Sequence, residues 1–248
     1  MPFFGKLICV SAFVSALWLP PLSPQSVRPS TAKVELPRVS NFEQEIDSVI
    51  ERFSTSGRTL VDSVIELAYK HQVPMAIEYA DLEATTRPLN LAFHNKSFRG
   101  IVEAIVKEDP QYRVSFSNGI VDIFSPMARE DSSNLLNKLM KDFSVTEMET
   151  RSADFQLFCA LVQAAGSGGC AGSLAVGQWD PIRITLHLQN VRVYEILNAI
   201  VAQNGKAIWT VTASNLASFP QCCGLWYIYP LQEPFKGVVS DRLVRMPQ

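Results

Sequence analysis

Leu89–Val106 reads LNLAFHNKSFRGIVEAIV, and it combines two periodic patterns of apolar residues. Leu89, Leu91 and Phe93 recur at every second position, which predicts a short strand. A turn is expected at Asn95-Lys96. The residues that follow have the three- and four-residue spacing of an apolar helix face, and they are Phe98, Ile101, Val102 and Ile105. The stretch therefore predicts a strand that leads through a turn into a helix.

The same pattern recurs at Ile184–Val201, ITLHLQNVRVYEILNAIV, 95 residues later (89 + 95 = 184). The two stretches align without a gap. The matched pairs are Leu91 with Leu186, Phe93 with Leu188, Asn95 with Asn190, Phe98 with Val193, Ile101 with Ile196, and Ala104-Ile105-Val106 with Ala199-Ile200-Val201. This repeat predicts two copies of one module.

The first copy is expected to span residues 41–126. Asn41 is expected to cap a first helix and Thr59 a second. A strand is predicted at Met75–Tyr79, and Asn118-Gly119 is a strong signal for a hairpin after the central helix. The apolar faces of the first two helices are expected to be Phe42, Ile46, Val49, Ile50 and Phe53, then Val61, Val64, Ile65 and Ala68. The predicted order is helix, helix, strand, strand, helix, hairpin.

The second copy is expected to span residues 134–230, after a linker at 127–133 and before a tail at 231–248. Asn134 is expected to cap its first helix, and Asn204-Gly205 to end its central helix. The apolar faces of its first two helices are expected to be Leu135, Leu136, Leu139, Met140 and Phe143, then Phe158, Leu161, Val162 and Ala165. The prediction is an α+β fold of two tandem small domains, each a short mixed sheet with helices packed on one face.

The composition excludes some partners. Lys and Arg total 22 and Asp and Glu total 24, so the formal net charge of the 248 residues is −2. A chain so close to neutral has no overall field to hold nucleic acid or an anionic membrane surface. We therefore expect neither as a partner.

The N-terminus has the pattern of a secretory signal peptide over residues 1–22. Lys6 precedes an apolar run, Leu7–Leu19, that Pro20-Pro21 ends. The run is shorter than a spanning helix normally needs, although an uncleaved N-terminal anchor is the alternative. Residues 23–40 are rich in Pro and Ser and are interpreted as a linker. The chain is thus expected to be exported, with the membrane involved only through export or that anchor.

The strand, the turn, the helix ending in Ala-Ile-Val and the hairpin together resemble the secretin and TonB short N-terminal (STN) domain. Leu89–Val106 with Tyr112–Pro126, and Ile184–Val201 with Ile208–Pro230, carry the resemblance. It implies a periplasmic protein-interaction or assembly module, without enzymatic activity or cofactor. Its expected partners are envelope proteins such as outer-membrane secretin or receptor components, or the chain itself. No series of barrel strands follows Pro230, and the cysteine-bearing insertions depart from the family pattern.

The cysteines of the second copy are disulfide candidates, because an exported chain meets an oxidising compartment. Four cysteines allow three pairings, and all three remain open. The candidates are Cys159, Cys170, Cys222 and Cys223. A thiol oxidoreductase that uses Cys222-Cys223 is an alternative function.

Three tryptophans in the second copy, Trp179, Trp209 and Trp226, are candidates for a ligand platform. Trp209 and Trp226 fall on strands expected to pair, so a cross-strand aromatic pair is the simpler interpretation. A platform would make the chain a small-ligand or glycan binding protein of the envelope. Neither a catalytic constellation nor a metal-ligand spacing is present among the three histidines and the carboxylates, so no catalytic or metal site is predicted.

Overall fold

The computed structural model describes residues 41–79, 86–164, 182–212 and 226–231. All of these belong to one compact unit, residues 32–248. The predicted signal peptide, the 23–40 linker and the tail beyond Leu231 lie outside the described residues. Within the described part of the chain, no helix has both the length and the apolar character needed to cross a bilayer.

The first copy alternates short helices and strands. Thr59 Oγ1 accepts a hydrogen bond from the N–H of Asp62 at 3.2 Å, which confirms it as a helix cap. The elements are α1 (Phe42–Ile46), β1 (Val49–Ser54), α2 (Leu60–His71), β2 (Met75–Tyr79), β3 (Ala92–Ser97), α3 (Phe98–Lys107), β4 (Arg113–Ser117), β5 (Ile120–Phe124) and α4 (Pro126–Glu130).

The second copy follows the same plan after a 3₁₀ turn at Leu135–Asn137, in which the N–H of Leu136 donates to Asn134 Oδ1 at 3.0 Å. Gly205, in the left-handed conformation, ends the central helix as predicted. The elements are β6 (Leu139–Glu149), α5 (Thr150–Ala164), β7 (Arg183–Arg192), α6 (Val193–Asn204), β8 (Ala207–Thr212) and β9 (Tyr227–Pro230).

The α+β class is confirmed; each copy has a two-stranded sheet of its own, β1-β3 or β6-β7, and the two copies share a third, larger sheet. The five-stranded sheet has the order β4-β5-β2-β8-β9. Its central strand, β2, runs parallel to β5 of its own copy and parallel to β8 of the second copy, where Met75 lies opposite Ile208. The junction between the copies is therefore a continuous strand ladder.

Both faces of the shared sheet are covered, whereas helices on one face were expected. Successive residues of a strand point to opposite faces. Met75 and Ile77 accordingly enter the core formed by α2 and α3, while Ala76 enters the core formed by α6. This burial on two sides explains why β2 lacks the polar alternation of a half-exposed strand.

The central helices of the two copies bury the predicted stripe completely. Each stripe residue of α3 has its counterpart in α6 at the same spacing of 95, and all eight side chains are 0% exposed. They are Phe98, Ile101, Val102 and Ile105 in α3, and Val193, Ile196, Leu197 and Ile200 in α6. The repeat in the sequence is thus a repeat in the packing.

The predicted first helix of each copy is wrong beyond its first turn. Val49–Ser54 and Leu139–Glu149 are strands that pair antiparallel with β3 and β7. Ile50 and Phe53 are three residues apart, a spacing that suits a helix, but both are buried from an extended backbone. β-Branched residues favour that backbone, and β3 offers hydrogen-bond partners that outweigh a weak local helical signal.

The predicted turn at Asn95-Lys96 is also wrong, because β3 continues to Ser97 and α3 begins at once. Asn95 lies in the strand with φ 47°, and its counterpart Asn190 in β7 has φ 52°. Asparagine tolerates this left-handed conformation better than most residues. The matched pair shows that both copies preserve the same local backbone kink.

We expect valine at Asn95 or Asn190 to destabilise the fold by about 1–2 kcal/mol, because a β-branched side chain clashes with the left-handed backbone. Asn95→Gly and Asn190→Gly are the matched controls and should change the free energy of unfolding by much less. Chemical denaturation measures both. Equal losses for valine and glycine would show that the side chain of Asn, and not the backbone angle, is what matters.

Candidate functional site

A buried polar cluster lies where the two copies meet. Its members are Glu78 on β2, Asp122 on β5, Arg129 on α4, Asn198 on α6 and Trp209 on β8, and we call it the junction cluster. The first three belong to the first copy and the last two to the second. The cluster therefore spans the boundary that the sequence repeat defines.

Arg129 is the centre of the cluster. Its guanidinium nitrogens lie 2.6 Å from Glu78 Oε1 and 2.9 Å from Asp122 Oδ1. Aromatic rings cover it, with the ring centroid of Phe124 at 4.5 Å and that of Tyr194 at 3.7 Å. A planar guanidinium can bind carboxylates in its plane and stack on aromatic rings at its faces at the same time. The compact ammonium group of a lysine could not make both sets of contacts.

Two hydrogen bonds connect this ion cluster to the second copy. Asn198 Nδ2 donates to Asp122 Oδ2 at 3.1 Å, and Trp209 Nε1 donates to Asn198 Oδ1 at 2.8 Å. A side-chain amide is well suited to this place because it donates to a carboxylate and accepts from an indole at once. The bond from Asn198 to Asp122 crosses between the copies, and it is added to the bonds that Arg129 already makes with Asp122.

The cluster has two carboxylates for one guanidinium. Burial raises the pKa of Glu78 to about 6 from its ordinary value of 4.5; the charge of Arg129 opposes the rise and that of Asp122 adds to it. The pKa of Arg129 is raised by the two carboxylates, although burial opposes this. Burial above all, with a smaller contribution from the charge of Asp122, makes Glu78 a group that can take up a proton near neutral pH.

The junction cluster is closed to solvent. The exposed fraction of the side chain is 5% for Glu78, 8% for Asp122 and 12% for Arg129. A general acid or base must reach the atom it protonates, and these groups face one another and not an opening. The arrangement holds the two copies together and can bind a proton.

Of the cluster, the sequence singled out Trp209 but none of the three charged residues. Glu78 and Asp122 each stand alone in an otherwise apolar strand, MAIEY and IVDIF, and a lone carboxylate in such a strand is a signal of a buried partner. Arg129 was assigned to the 127–133 linker. That segment instead contains most of α4 and supplies the cation for both carboxylates.

The predicted ligand platform is contradicted at two of its three tryptophans. Trp209 is 0% exposed and Trp226 is 6% exposed, so neither presents a ring face to a ligand. Their indole N–H groups donate to Asn198 and to Asp154. They are not a cross-strand pair, because Trp209 lies opposite Ile228. Trp179 lies outside the described residues.

One of the four predicted disulfide cysteines is described by the structure. Cys159, in α5, is disulfide-bonded. Cys170, Cys222 and Cys223 lie outside the described residues, so the pairing and the thiol oxidoreductase alternative remain predictions. Among the described residues, no group of three or more His, Cys, Asp or Glu side chains is arranged to hold a metal ion.

One open cavity carries ionisable groups away from the junction. It lies between α1 and the end of α2, and its lining residues are Asn41, Gln44, Glu45, Ser48 and His71. Burial, then the neighbouring charge of Lys70, lowers the pKa of His71, whereas burial raises the pKa of Glu45. These shifts disfavour the charged form of both groups, so the cavity is polar without a strong charge.

Arg129→Met should reduce the free energy of unfolding by about 3–5 kcal/mol, because two buried carboxylates lose their counter-ion. Arg99→Met is the matched control. Arg99 also contacts two carboxylates, Glu43 at 3.0 Å and Asp47 at 2.9 Å, but these partners are exposed. Its loss should stay within about 1 kcal/mol. Denaturant unfolding measures both, and a loss for Arg129→Met as small as the one expected for the control would contradict the contribution of the junction cluster to stability.

Glu78→Gln tests the proton uptake. Because the folded pKa of about 6 lies above the ordinary 4.5, stability from this group is full below pH 4.5 and is lost as the pH rises through 6. Relative to Glu78→Gln, the native chain should lose about 2 kcal/mol over that range, at about 1.4 kcal/mol per pH unit. Both proteins keep Asp154, whose pKa burial raises to about 6, so its contribution cancels. The exposed Glu103→Gln should track the native chain, and a parallel profile for Glu78→Gln would contradict the assignment.

No family model, no curated protein and no solved structure matches this chain. The likeness to the secretin and TonB short N-terminal domain therefore depends on the quoted residues alone, and function has to be argued from the geometry.

Proposed function

We propose that this chain is a non-enzymatic protein-interaction or assembly module of the cell envelope, acting beside a secretin or TonB-dependent system. One observation carries the proposal. The module occurs twice, and its two copies bind each other by strand pairing between β2 and β8. Strand addition to a sheet edge is a general mode of protein recognition, and here one module already serves as the partner of the next.

The polar chemistry of the described residues supports the same proposal. The strongest charge contacts away from the surface hold Arg129 between Glu78 and Asp122, and they are directed at the junction instead of at an opening. The second copy completes this cluster, because Asn198 donates to Asp122 and the ring of Tyr194 covers Arg129, and a wrong seating would lose both contacts. This is the chemistry of an interface.

An exported location agrees with two features. Residues 1–22 have the pattern of a signal peptide, and Cys159 is disulfide-bonded, as is common in the periplasm and in secreted proteins. Together with the resemblance to the short N-terminal domain, these features support a periplasmic protein. Its proposed partners are outer-membrane secretin or receptor components.

Photo-crosslinking in intact cells tests this function. Val49 and Leu139 occupy matching positions at the start of β1 and β6, and they are 66% and 55% exposed. A photoreactive residue at either position should capture an envelope protein, because exposed aliphatic side chains favour contact surfaces. Mass spectrometry identifies the captured chain.

The matched control places the same photoreactive residue at Glu103, an exposed position in the middle of α3. We expect it to give little of the captured partner. Capture of cytoplasmic proteins alone, or identical products from all three positions, would contradict the proposed function.

A further inference from the structure

The outer edge of β4 corresponds to the edge of β8 that joins the two copies. The spacing of 95 that aligns the modules places Arg113–Ser117 on Ile208–Thr212 (113 + 95 = 208). In the second copy, the edge of β8 away from β9 is paired with β2. In the first copy, β4 has β5 as its one strand neighbour among the described residues. This edge is thus paired in the second copy, whereas in the first copy no described strand pairs with it.

Among the described residues, β4 has few of the features that keep an edge strand from pairing, and its one charged residue, Arg113, is at the end of the strand. It reads RVSFS, without proline or lysine, and its register with β5 is regular from Arg113 opposite Phe124 to Ser117 opposite Ile120. Proteins protect edge strands with proline, lysine, bulges or a covering element. A regular five-residue strand without these features is able to accept another strand.

Two residues of β4 have backbone N–H and C=O groups that point away from β5. Asn118 and Gly119, with φ of 54° and 78°, form a two-residue turn that makes Ser117 and Ile120 a hydrogen-bonded pair. Hydrogen-bonded and non-bonded positions alternate along an antiparallel ladder. The N–H and C=O groups of Val114 and Phe116 therefore point away from β5, and they can bond to a further strand.

The sequence of β4 is complementary to itself. When two copies of the strand run antiparallel about Ser115, Val114 of each lies opposite Phe116 of the other. Aromatic residues opposite β-branched residues, and hydroxyl residues opposite each other, are favourable cross-strand pairs. Arg113 of each then lies opposite Ser117, so the register brings no like charges together.

The apolar side of such a pair would continue an existing core. Val114 and Phe116 are half-buried and pack against the core of the first copy. Arg99 lies on the ring of Phe116, with its guanidinium 4.6 Å from the ring centroid, and is held by Glu43 and Asp47. The partner's apolar side chains would extend this layer, while the hydroxyls of Ser115 and Ser117 lie on the other side.

We propose that a second copy of this chain adds to β4 antiparallel, so that two five-stranded sheets become one continuous sheet. The inference rests on the proposed function, and it names one partner and the surface that binds it. A five-residue strand pair is smaller than a standard interface, so we expect a dissociation constant on the order of tens of micromolar.

Charge changes at Ser117 test the register. Ser117 is exposed and lies opposite Arg113 of the partner copy in the proposed pairing. Ser117→Glu should tighten the dimer by roughly threefold to tenfold through two new ion pairs, and Ser117→Arg should weaken it by a similar factor. The double variant Arg113→Glu with Ser117→Arg restores opposite charges and should recover dimerisation. Sedimentation velocity over a concentration series measures each constant.

Ser144→Glu and Ser144→Arg are matched controls on β6, where Ser144 is also an exposed strand serine. They should leave the dimer unchanged. A native chain that stays monomeric to several hundred micromolar, or the same response to Glu and Arg at Ser117, overturns the inference. The crosslinking experiment tests the proposed function separately. If a monomeric chain captures an envelope protein, the dimer inference is wrong but the proposed function is supported.

Discussion

The parallel pairing of β2 with β8 is the contact on which the rest of the structure depends. It joins strands from the two copies with Met75 opposite Ile208, and it places β2 at the centre of a five-stranded sheet. Because both faces of β2 are covered, Met75 and Ile77 stabilise one core while Ala76 contributes to the other. Without this pairing, neither copy would bury its apolar surface completely.

The junction cluster adds selectivity to this contact more than it adds free energy. Removing charges from water costs several kcal/mol per ion, and a well-formed ion cluster recovers about that cost. The benefit lies in the alternatives that it excludes, since a β2–β8 ladder shifted by one residue would turn the second copy to the opposite face of the sheet and take Asn198 away from Asp122. The hydrogen bonds from Trp209 on β8 to Asn198 on α6, and from Asn198 to Asp122, also fix where α6 and β8 lie relative to β5.

The sequence predicted the elements whose signals are local and strong. The central helices, the Asn118-Gly119 hairpin and the Thr59 cap all depend on nearby residues, and the structure has them. The first strand of each copy was missed because Ile50 and Phe53 have a spacing that suits a helix. Only pairing with a strand forty or more residues away makes them extended (Phe53 lies opposite Phe93, 93 − 53 = 40, and Ile50 opposite Lys96, 96 − 50 = 46).

The junction was beyond sequence reasoning for a similar reason. Arg129 is a single basic residue in a short segment, and nothing local distinguishes it from a solvated one. Its partners lie 51 and 7 residues earlier in the chain, at Glu78 on β2 and Asp122 on β5. A repeat in the sequence shows that two modules exist, but it does not show which edges of their sheets meet, since edge pairing depends on backbone groups that every residue carries.

The position of β2 at the centre of the sheet has a consequence for how the chain folds. Its partner strand β8 is 133 residues further on (208 − 75 = 133), and contacts of such long range slow folding because a large loop must close first. A chain that emerges from its N-terminus through a translocation channel would show the edge of β2 to other chains for that whole interval. The chain is then most exposed to aggregation and proteolysis before β8 has paired with β2, and not after folding is complete.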